Sequence, residues 1–140
     1  MAHLNPYLSF KDNAREAMEF YHSVLGGELT VSRFGDMPES GVAPGEEDLV
    51  MHAQINAEGG LVLMASDTPT GMNYATPQGM SVSLSGDDPE TDRLRAAWNG
   101  LSEGGTVLMP LDPAPWGGLF GMMVDRFGIT WMVAVNPSFA

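Results

Sequence analysis

The sequence predicts an α+β fold made of two β-α-β-β-β modules, and three observations support this prediction. The order of extended segment, helix, glycine pair and further extended segments occurs twice. Three extended stretches follow each helix. The strand sequences alternate between apolar and polar residues, which gives each sheet one apolar and one polar face. We therefore expect the helices on the outer, apolar faces, with the polar faces left to solvent or a ligand.

The first module is predicted to begin with an extended segment at 4–10 and a helix that starts after Asn13. Asn13 and Glu16 fit a capping box, and Gly26-Gly27 supplies a left-handed stop. Apolar residues at helical spacing form the buried stripe of this helix: Ala14, Ala17, Met18, Tyr21, Val24 and Leu25. The later strands are predicted at 28–34, 49–56 and 61–66. The acidic, turn-rich segment 35–48 is expected to form an exposed loop that borders a site.

The second module repeats this order from an extended segment at 80–85. Asp88-Pro89 predicts a helix start, and the helix is expected to end near Gly104-Gly105. The buried stripe is predicted to comprise Leu94, Ala97, Trp98 and Leu101. Further strands are predicted at 106–111, 119–124 and 129–135. The prolines and glycines of 68–79 indicate a linker, so a single domain of 140 residues would consist of modules at about 1–67 and 80–140.

Composition excludes several classes of partner. The chain carries eighteen Asp and Glu against six Lys and Arg, a formal net charge of −12, so nucleic acid and anionic membrane surfaces are not expected partners. It contains no cysteine, which excludes thiolate metal sites and a cysteine nucleophile. No apolar run approaches the roughly 20 residues of a membrane helix, and no secretion signal is recognisable, so we expect a cytoplasmic protein.

Several short motifs, spread over nearly the whole chain, together resemble the vicinal oxygen chelate superfamily and, more closely, its PhnB-like branch. They are Asn5-Pro6-Tyr7-Leu8, Ala17 to Tyr21, Gly26-Gly27, His52-Ala53, Leu63 to Asp67, Trp116-Gly117, Asp125 to Gly128 and Trp131. The resemblance implies cupped mixed sheets, a homodimer and a small-molecule cavity inside each cup. Glyoxalases, extradiol dioxygenases, fosfomycin-modifying enzymes and bleomycin-sequestering proteins share this fold, so the resemblance alone leaves the activity open.

Metalloenzymes of this superfamily place His or Glu on the first and last strands of the modules. Aligned to that pattern, the metal positions fall near Asn5 and at Met64, Ser81 and Met132. Thioether and hydroxyl groups are poor ligands for the divalent ions that such enzymes use, so we expect no metal cofactor. A register shift of one residue would present other side chains that also lack ligand groups, namely Leu63, Val82 or Trp131.

Among the three histidines, His52 is the candidate catalytic residue. It shares the polar face of its strand with Gln54, a candidate ligand-binding residue, and an imidazole can act as acid or base near neutral pH. The structural alternative is a histidine that is solvated or hydrogen-bonded to a neighbouring strand. His3 lies near the terminus and His22 at the edge of a helix, so no two histidines have metal-ligand spacing.

The remaining candidate ligand-binding residues are Ser81 and Ser83, on the polar face of their strand, with Tyr74, Trp116, Phe120 and Met122. The segment 112–128 is rich in aromatic residues, Met and Gly, which suits either an adaptable wall of a site or ordinary packing. Large apolar side chains in loops indicate a lid or a dimer contact, and these are Met37, Met72, Tyr74 and Trp116. Asp125-Arg126 is interpreted as a turn rather than as a catalytic pair.

Together these patterns favour a homodimeric protein that binds a small, partly apolar molecule without a divalent metal. The alternative is a lyase, transferase or dioxygenase-like enzyme, either metal-assisted or with His52 as acid or base. A third interpretation is a scaffold whose cup is filled by its own side chains.

Overall fold

The computed structural model describes residues 2–37 and 41–137. The chain divides into two compact units between Ala75 and Thr76, inside the segment 68–79 that was predicted as a linker. We call the residues up to Ala75 module 1 and those from Thr76 module 2. The loop predicted at 35–48 contains residues 38–40, which lie outside the described residues.

The described residues of module 1 form one α-helix and four strands. They are β1 (Tyr7–Phe10), α1 (Ala14–Leu25), β2 (Glu28–Arg33), β3 (Val50–Ala57) and β4 (Leu61–Asp67), with a 3₁₀ turn at Phe34–Asp36. The sheet order is β1-β4-β3-β2. β1 runs parallel to β4, and the other pairs are antiparallel.

Module 2 has the same topology. Its elements are β5 (Val82–Asp87), α2 (Thr91–Ser102), β6 (Thr106–Pro113), β7 (Leu119–Val124) and β8 (Thr130–Asn136), with a 3₁₀ turn at Asp88–Glu90. The sheet order is β5-β8-β7-β6, with β5 parallel to β8. The α+β fold of two modules with mixed sheets is therefore confirmed. β5 begins later than predicted, because Met80 lies outside the strand with 84% of its surface exposed.

Each helix packs its apolar stripe on one face of its own sheet, as the periodicity predicted. In α1 the buried residues are Ala14, Ala17, Met18 and Tyr21, and in α2 they are Leu94, Ala97, Trp98 and Leu101. Val24 and Leu25, which were also predicted in the buried stripe of α1, are partly exposed. The ring of Trp98 lies over Gly121 of β7, where a Cβ atom would come within 2.8 Å of it. Within the described ranges, no helix is long and apolar enough to cross a membrane.

The helix starts differ from the predicted caps. Asn13 precedes α1, but its side chain makes no capping hydrogen bond. Instead, the buried carboxylate of Asp67 accepts hydrogen bonds from the backbone N–H groups of Ala14 at 2.9 Å and Val50 at 2.9 Å. A carboxylate from the end of β4 therefore supplies the cap and ties the helix start to β3.

The second helix also begins later than its sequence signal suggested. Asp88 and Pro89 belong to the 3₁₀ turn, and α2 starts at Thr91, whose hydroxyl donates to the Asp88 carbonyl at 2.6 Å. The helix start predicted at Asp88-Pro89 therefore lies one short turn before α2. Pro89 still marks the helical entry, because its fixed φ suits a first turn that lacks an N–H partner.

β6 forms one edge of the second sheet and exposes consecutive apolar side chains. Val107, Leu108 and Met109 are each about half exposed. The register with β7 shifts on both sides of Met109, and Pro110 follows with no backbone N–H to donate. The free side of this edge is thus irregular and apolar.

Candidate functional site

The first sheet presents a mainly polar face on the side opposite α1. The register pairs Ala53 with Ala65 and Ile55 with Leu63, and these residues are buried on the helix side. The alternate positions therefore point the other way. We call this second side the open face of module 1. Its strand residues are Tyr7, Ser9, Glu28, Thr30, Ser32, His52, Gln54, Asn56, Val62, Met64 and Ser66.

Four side chains on this face form a continuous line of hydrogen bonds, which we call the polar row: Tyr7, His52, Gln54 and Asn56. The Tyr7 hydroxyl lies 3.0 Å from His52 Nδ1. His52 Nε2 lies 3.2 Å from Gln54 Oε1, and Gln54 Nε2 donates to Asn56 Oδ1 at 3.0 Å. β4 separates β1 from β3, so the phenol of Tyr7 reaches across β4 to meet the imidazole, with ring centroids 5.6 Å apart.

The amide orientations fix the tautomer of His52 in this row. Gln54 turns its oxygen toward His52 because its nitrogen donates to Asn56. With the amides in this orientation, a neutral His52 carries its proton on Nε2 and accepts from the Tyr7 hydroxyl at Nδ1. All hydrogen bonds therefore run in one direction, from Tyr7 toward Asn56.

Tyr7 and Asn56 are the two members of this row that were not predicted as site residues. Alternation with buried Phe10 places Tyr7 outward, but its contact with His52 depends on the order of strands in the sheet. Gln54 was predicted beside His52 and is its hydrogen-bond partner. His52 is half-buried and hydrogen-bonded to Tyr7 of another strand, so it fits the structural alternative of a bonded histidine, and its catalytic role stays a prediction.

The side of the second sheet opposite α2 is more apolar. Across its strands the register aligns Ser83 with Met132, Met132 with Met122, and Met122 with Met109. Phe120 lies on the same side, and the ring of Trp116 meets it edge-on with centroids 5.7 Å apart. The predicted residues Ser83, Phe120 and Met122 therefore share one face, which we call the open face of module 2, and Trp116 contacts it.

Two other predicted residues lie outside the strands. Ser81 precedes β5 and is exposed, and Tyr74 lies in the linker with 39% of its surface exposed. Met37 and Met72 are exposed, and the lid or dimer contact predicted for them stays a prediction. No hydrogen bond or ring contact in the described coordinates joins Ser81 or Tyr74 to the predicted site residues, so their part in a site stays a prediction.

The superfamily metal positions do not carry suitable ligands. Met64 of β4 pairs with Tyr7 and Gln54 on the open face of module 1, and Asn5 is followed by Pro6, whose carbonyl accepts from Met64 N. In module 2, Met132 pairs with Ser83. Thioether, amide and hydroxyl groups are a poor donor set for a divalent ion. Over residues 2–37 and 41–137, no group of three His, Asp or Glu side chains has a metal-binding arrangement.

The carboxylate of Asp125 is structural, as the turn interpretation predicted. It is buried and accepts from the backbone N–H groups of Phe127 at 2.8 Å and Ile129 at 3.0 Å, and from Trp131 Nε1 at 2.8 Å. The glycine-rich segment 112–128 was predicted to form either a wall of a site, where glycines let a ligand approach the backbone, or ordinary packing. Gly118 faces the carbonyl of Val135, and Gly121 faces Trp98, so both are approached by the protein itself.

Comparison with known proteins agrees with this architecture. The crystal structure of protein PA1353 from Pseudomonas aeruginosa has 40% sequence identity, covers 99% of this chain and 100% of its own, and superposes with a TM-score of 0.85. A putative 3-demethylubiquinone-9 3-methyltransferase, PhnB protein, from Bacillus cereus has 26% identity, coverages of 96% and 100%, and a TM-score of 0.73. A glyoxylase/bleomycin resistance protein/dioxygenase domain from Frankia sp. EAN1pec shares the fold, with 16% identity, coverages of 97% and 98%, and a TM-score of 0.64.

Two β-α-β-β-β modules, each with an open sheet face, therefore define a protein of the vicinal oxygen chelate type in its PhnB-like branch. A family model described as 3-demethylubiquinone-9 3-methyltransferase matches residues 2–134. The chain belongs to that family.

Proposed function

We propose that this protein binds a small molecule on its open sheet faces, in the manner of the glyoxalase and bleomycin resistance proteins, and that it does so without a divalent metal. The observation that carries the proposal is the polar row of module 1. Four hydrogen-bonded side chains stand on a face that its own helix does not cover. Such convergent polar groups orient a ligand, while apolar surroundings supply most of the burial.

The open face of module 2 supports a ligand with an apolar part. Met109, Met122 and Met132 lie side by side in register, and Phe120 with Trp116 adds aromatic surface. Methionine side chains adapt to ligands of different shape, because they are unbranched and polarizable. We infer that a ligand on the open face of module 2 has an apolar or aromatic body.

The protein is further proposed to act as a homodimer in the cytoplasm. The edge strand β6 exposes three consecutive apolar side chains, Val107, Leu108 and Met109. Exposed apolar side chains on the edge strand of a sheet suit a contact with another protein. A second copy of the chain is the partner that the resemblance to the vicinal oxygen chelate superfamily implies.

A fragment screen by protein-observed NMR tests the binding proposal. Fragments that bind should shift the amide signals of Gln54 and Met64, and His52→Ala should weaken this binding. The matched control is His22→Ala, since His22 bonds to the Gly27 carbonyl at the end of α1. The proposal fails if no fragment binds, or if every fragment shifts signals only outside the two open faces.

Metal analysis tests the proposal that the protein binds its ligand without a divalent metal. Protein purified without chelator should contain divalent ions well below one equivalent. One equivalent of a divalent ion, lost with a substitution at Asn5 or His52, would contradict the donor-set argument and support a metal-assisted enzyme.

A second candidate is an enzyme of the lyase, transferase or dioxygenase-like type. The family description names methyl transfer to a quinone precursor, and the hydrogen bond between Tyr7 and His52 could serve proton transfer from a substrate hydroxyl. Incubation with S-adenosylmethionine and a short-chain 3-demethylubiquinone analogue tests this candidate. Product formed by the wild type but not by His52→Ala would favour an enzyme over a binding protein.

A further inference from the structure

The polar row has the geometry of a proton relay that ends at an exposed phenol. Tyr7, at the end of the row, is 49% exposed. His52, to which it is hydrogen-bonded, is half-buried. The Tyr7 hydroxyl donates to His52 Nδ1, so the lone pairs of the phenol oxygen stay available to a ligand donor. Tyr7 and Asn56, the two ends of the row, are both exposed, and of the two only Tyr7 is hydrogen-bonded to the imidazole.

The row can hold an extra proton without rearrangement. If Tyr7 passes its proton to His52, both imidazole nitrogens become donors, one toward the Tyr7 oxygen and the other toward Gln54 Oε1. The Gln54 carbonyl oxygen already accepts from His52 Nε2, so it stabilises the imidazolium in the position the imidazole occupies. Neither amide needs to flip.

The negative net charge of the protein favours binding of an acidic ligand in its neutral, protonated state. A formal net charge of −12 repels anions from solution. A neutral hydroxyl compound avoids this repulsion, and proton transfer after binding creates an anion next to a newly formed cation. Besides Tyr7 and His52, the strands carry one ionisable side chain on the open face of module 1, that of Glu28 in β2. Glu28 pairs with Asn56, at the end of the row away from Tyr7.

We propose that Tyr7 and His52 form an acid–base pair that binds acidic hydroxyl compounds, such as phenols and enols, by taking up their proton. The ligand O–H bond breaks and its proton moves to the Tyr7 oxygen, while the Tyr7 proton moves to His52 Nδ1. The products are a ligand oxyanion, a neutral Tyr7 that donates to this oxyanion, and an imidazolium at His52. The proposal rests on the proposed binding function, and it names the ligand class and the group that contacts it.

The probe is 4-nitrophenol, because its anion absorbs at a longer wavelength than its neutral form. Titration takes place at a pH where the free dye is mostly neutral. Wild-type protein should bind the dye and shift its absorbance to that of the anion. Tyr7→Phe should weaken binding by about tenfold or more, as expected for loss of a hydrogen bond to a charged group.

The His52→Gln variant tests whether the site takes up the proton of the dye or only contacts the dye. Glutamine can hydrogen-bond to the Tyr7 hydroxyl but cannot accept its proton, so this variant should bind the dye in its neutral form, without the absorbance shift. His22→Gln is the matched control and should behave as the wild type, because His22 bonds to the Gly27 carbonyl and is no part of the row. Far-ultraviolet circular dichroism confirms that each variant is folded.

Wild type that binds the dye in its neutral form, or a shift that persists in His52→Gln, would overturn the acid–base pair. If the dye does not bind while NMR fragments occupy the open face of module 1, this inference fails and the binding function stands. If neither the dye nor any fragment binds, the proposed function fails as well.

Discussion

Two buried carboxylates, Asp67 and Asp125, stabilise backbone turns that would otherwise leave N–H groups without partners. Asp67 joins the start of α1 to β3, and Asp125 closes the turn between β7 and β8. Each uses both carboxylate oxygens as acceptors. A buried carboxylate satisfied in this way stabilises the fold through several charge-assisted hydrogen bonds at once.

Replacing Asp125 with Asn should lower the free energy of unfolding by about 2 to 3 kcal/mol. The amide keeps one acceptor oxygen but turns its NH₂ group toward a donor, either Trp131 Nε1–H or the backbone N–H groups of the turn. Urea unfolding, followed by tryptophan fluorescence, measures the change. Asp112→Asn is the control, because Asp112 is exposed on β6, and its change should stay within about 0.5 kcal/mol. Equal stability of the two variants would contradict the structural role of Asp125.

The exposed carboxyl of Asp36 should titrate below its ordinary value of 3.8. Its pKa is lowered first by the hydrogen bond from the Arg33 backbone N–H and then by the Arg33 guanidinium. A depressed pKa in the folded state stabilises the turn at pH values above the unfolded pKa, and this stabilisation is lost as acid protonates the carboxyl. Carbon-detected NMR titration measures the pKa.

Substitutions separate the two contributions to the Asp36 pKa. Arg33→Gln keeps the backbone N–H, so it should raise the pKa of Asp36 only part of the way to 3.8. Arg95→Gln, on exposed surface of α2, should leave it unchanged. A full return to the ordinary value in Arg33→Gln would show that the guanidinium alone causes the shift.

Trp116 and Tyr74 should contribute to ligand binding as a lid rather than to dimerisation. Trp116 is 66% exposed and its ring rests on Phe120, which lies on the open face of module 2. Trp116→Ala and Tyr74→Ala should each weaken the binding of NMR fragments several-fold, while sedimentation stays that of the wild type. Unchanged affinity in both variants excludes the lid, and a shift to monomer would indicate a dimer contact.

Residues whose role depends on near neighbours in sequence could be predicted, and those whose role depends on distant strands could not. The Asp125 turn spans a few residues, so its composition already indicated it. The cap of α1 comes from Asp67, and the partner of His52 comes from β1. Neither contact follows from local spacing, because each requires the order of strands in the sheet.

At the scale of elements, the contact between α2 and its sheet depends on a glycine. Gly121 lets the Trp98 ring lie directly on β7, and a Cβ there would also come within 2.9 Å of the Leu111 Cα atom. Gly121 is therefore required for helix packing. Its φ is not in the left-handed region, so steric space rather than backbone strain explains the requirement.

Gly121→Ala should lower the free energy of unfolding by about 1 to 3 kcal/mol, since the added methyl group overpacks a closed core. Urea unfolding again provides the measurement. Gly86→Ala on β5 is the matched control, because its Cβ would meet only side-chain atoms of Glu90 and Leu94, at 3.2 Å. Gly86→Ala should lower the free energy of unfolding clearly less than Gly121→Ala does. Equal losses would show that the position of Trp98 tolerates a side chain at Gly121.

The elements themselves were predictable because their signals are local. Helical spacing and strand alternation identified both helices and the eight strands, and the ends differ from the structure by a few residues. The β5 start was misplaced at Met80, because alternation continues in the sequence beyond the last residue that pairs with β8. Pairing depends on the partner strand, which the pattern of one segment does not contain.

At the scale of the whole molecule, the two modules share a topology but differ in the chemistry of their open faces. Module 1 carries the polar row, and module 2 carries Met, Phe and Ser. Repetition of element order predicted the common topology. The two faces differ because the strand residues that point away from the helices differ. Substitutions at these positions do not affect the residues that pack under the helices.

Leu108→Asp should convert the proposed homodimer to a monomer. A charge in the middle of the apolar edge formed by β6 would have to be buried without a partner at the dimer contact. Sedimentation equilibrium measures the mass. Leu4→Asp is the control, because Leu4 is 100% exposed near the N-terminus, and it should leave the mass unchanged. A dimer that persists in Leu108→Asp would place the contact elsewhere, and a monomeric wild type would exclude the dimer.

Pro110 limits how strands of other chains can pair with the edge strand β6. A regular strand at the border of a sheet offers a ladder of N–H and C=O groups on which further chains can stack without end. The missing N–H of Pro110 and the shifted register around Met109 interrupt that ladder. Neighbouring molecules can therefore meet at β6 through their side chains, which favours a closed pair and opposes growth into fibrils.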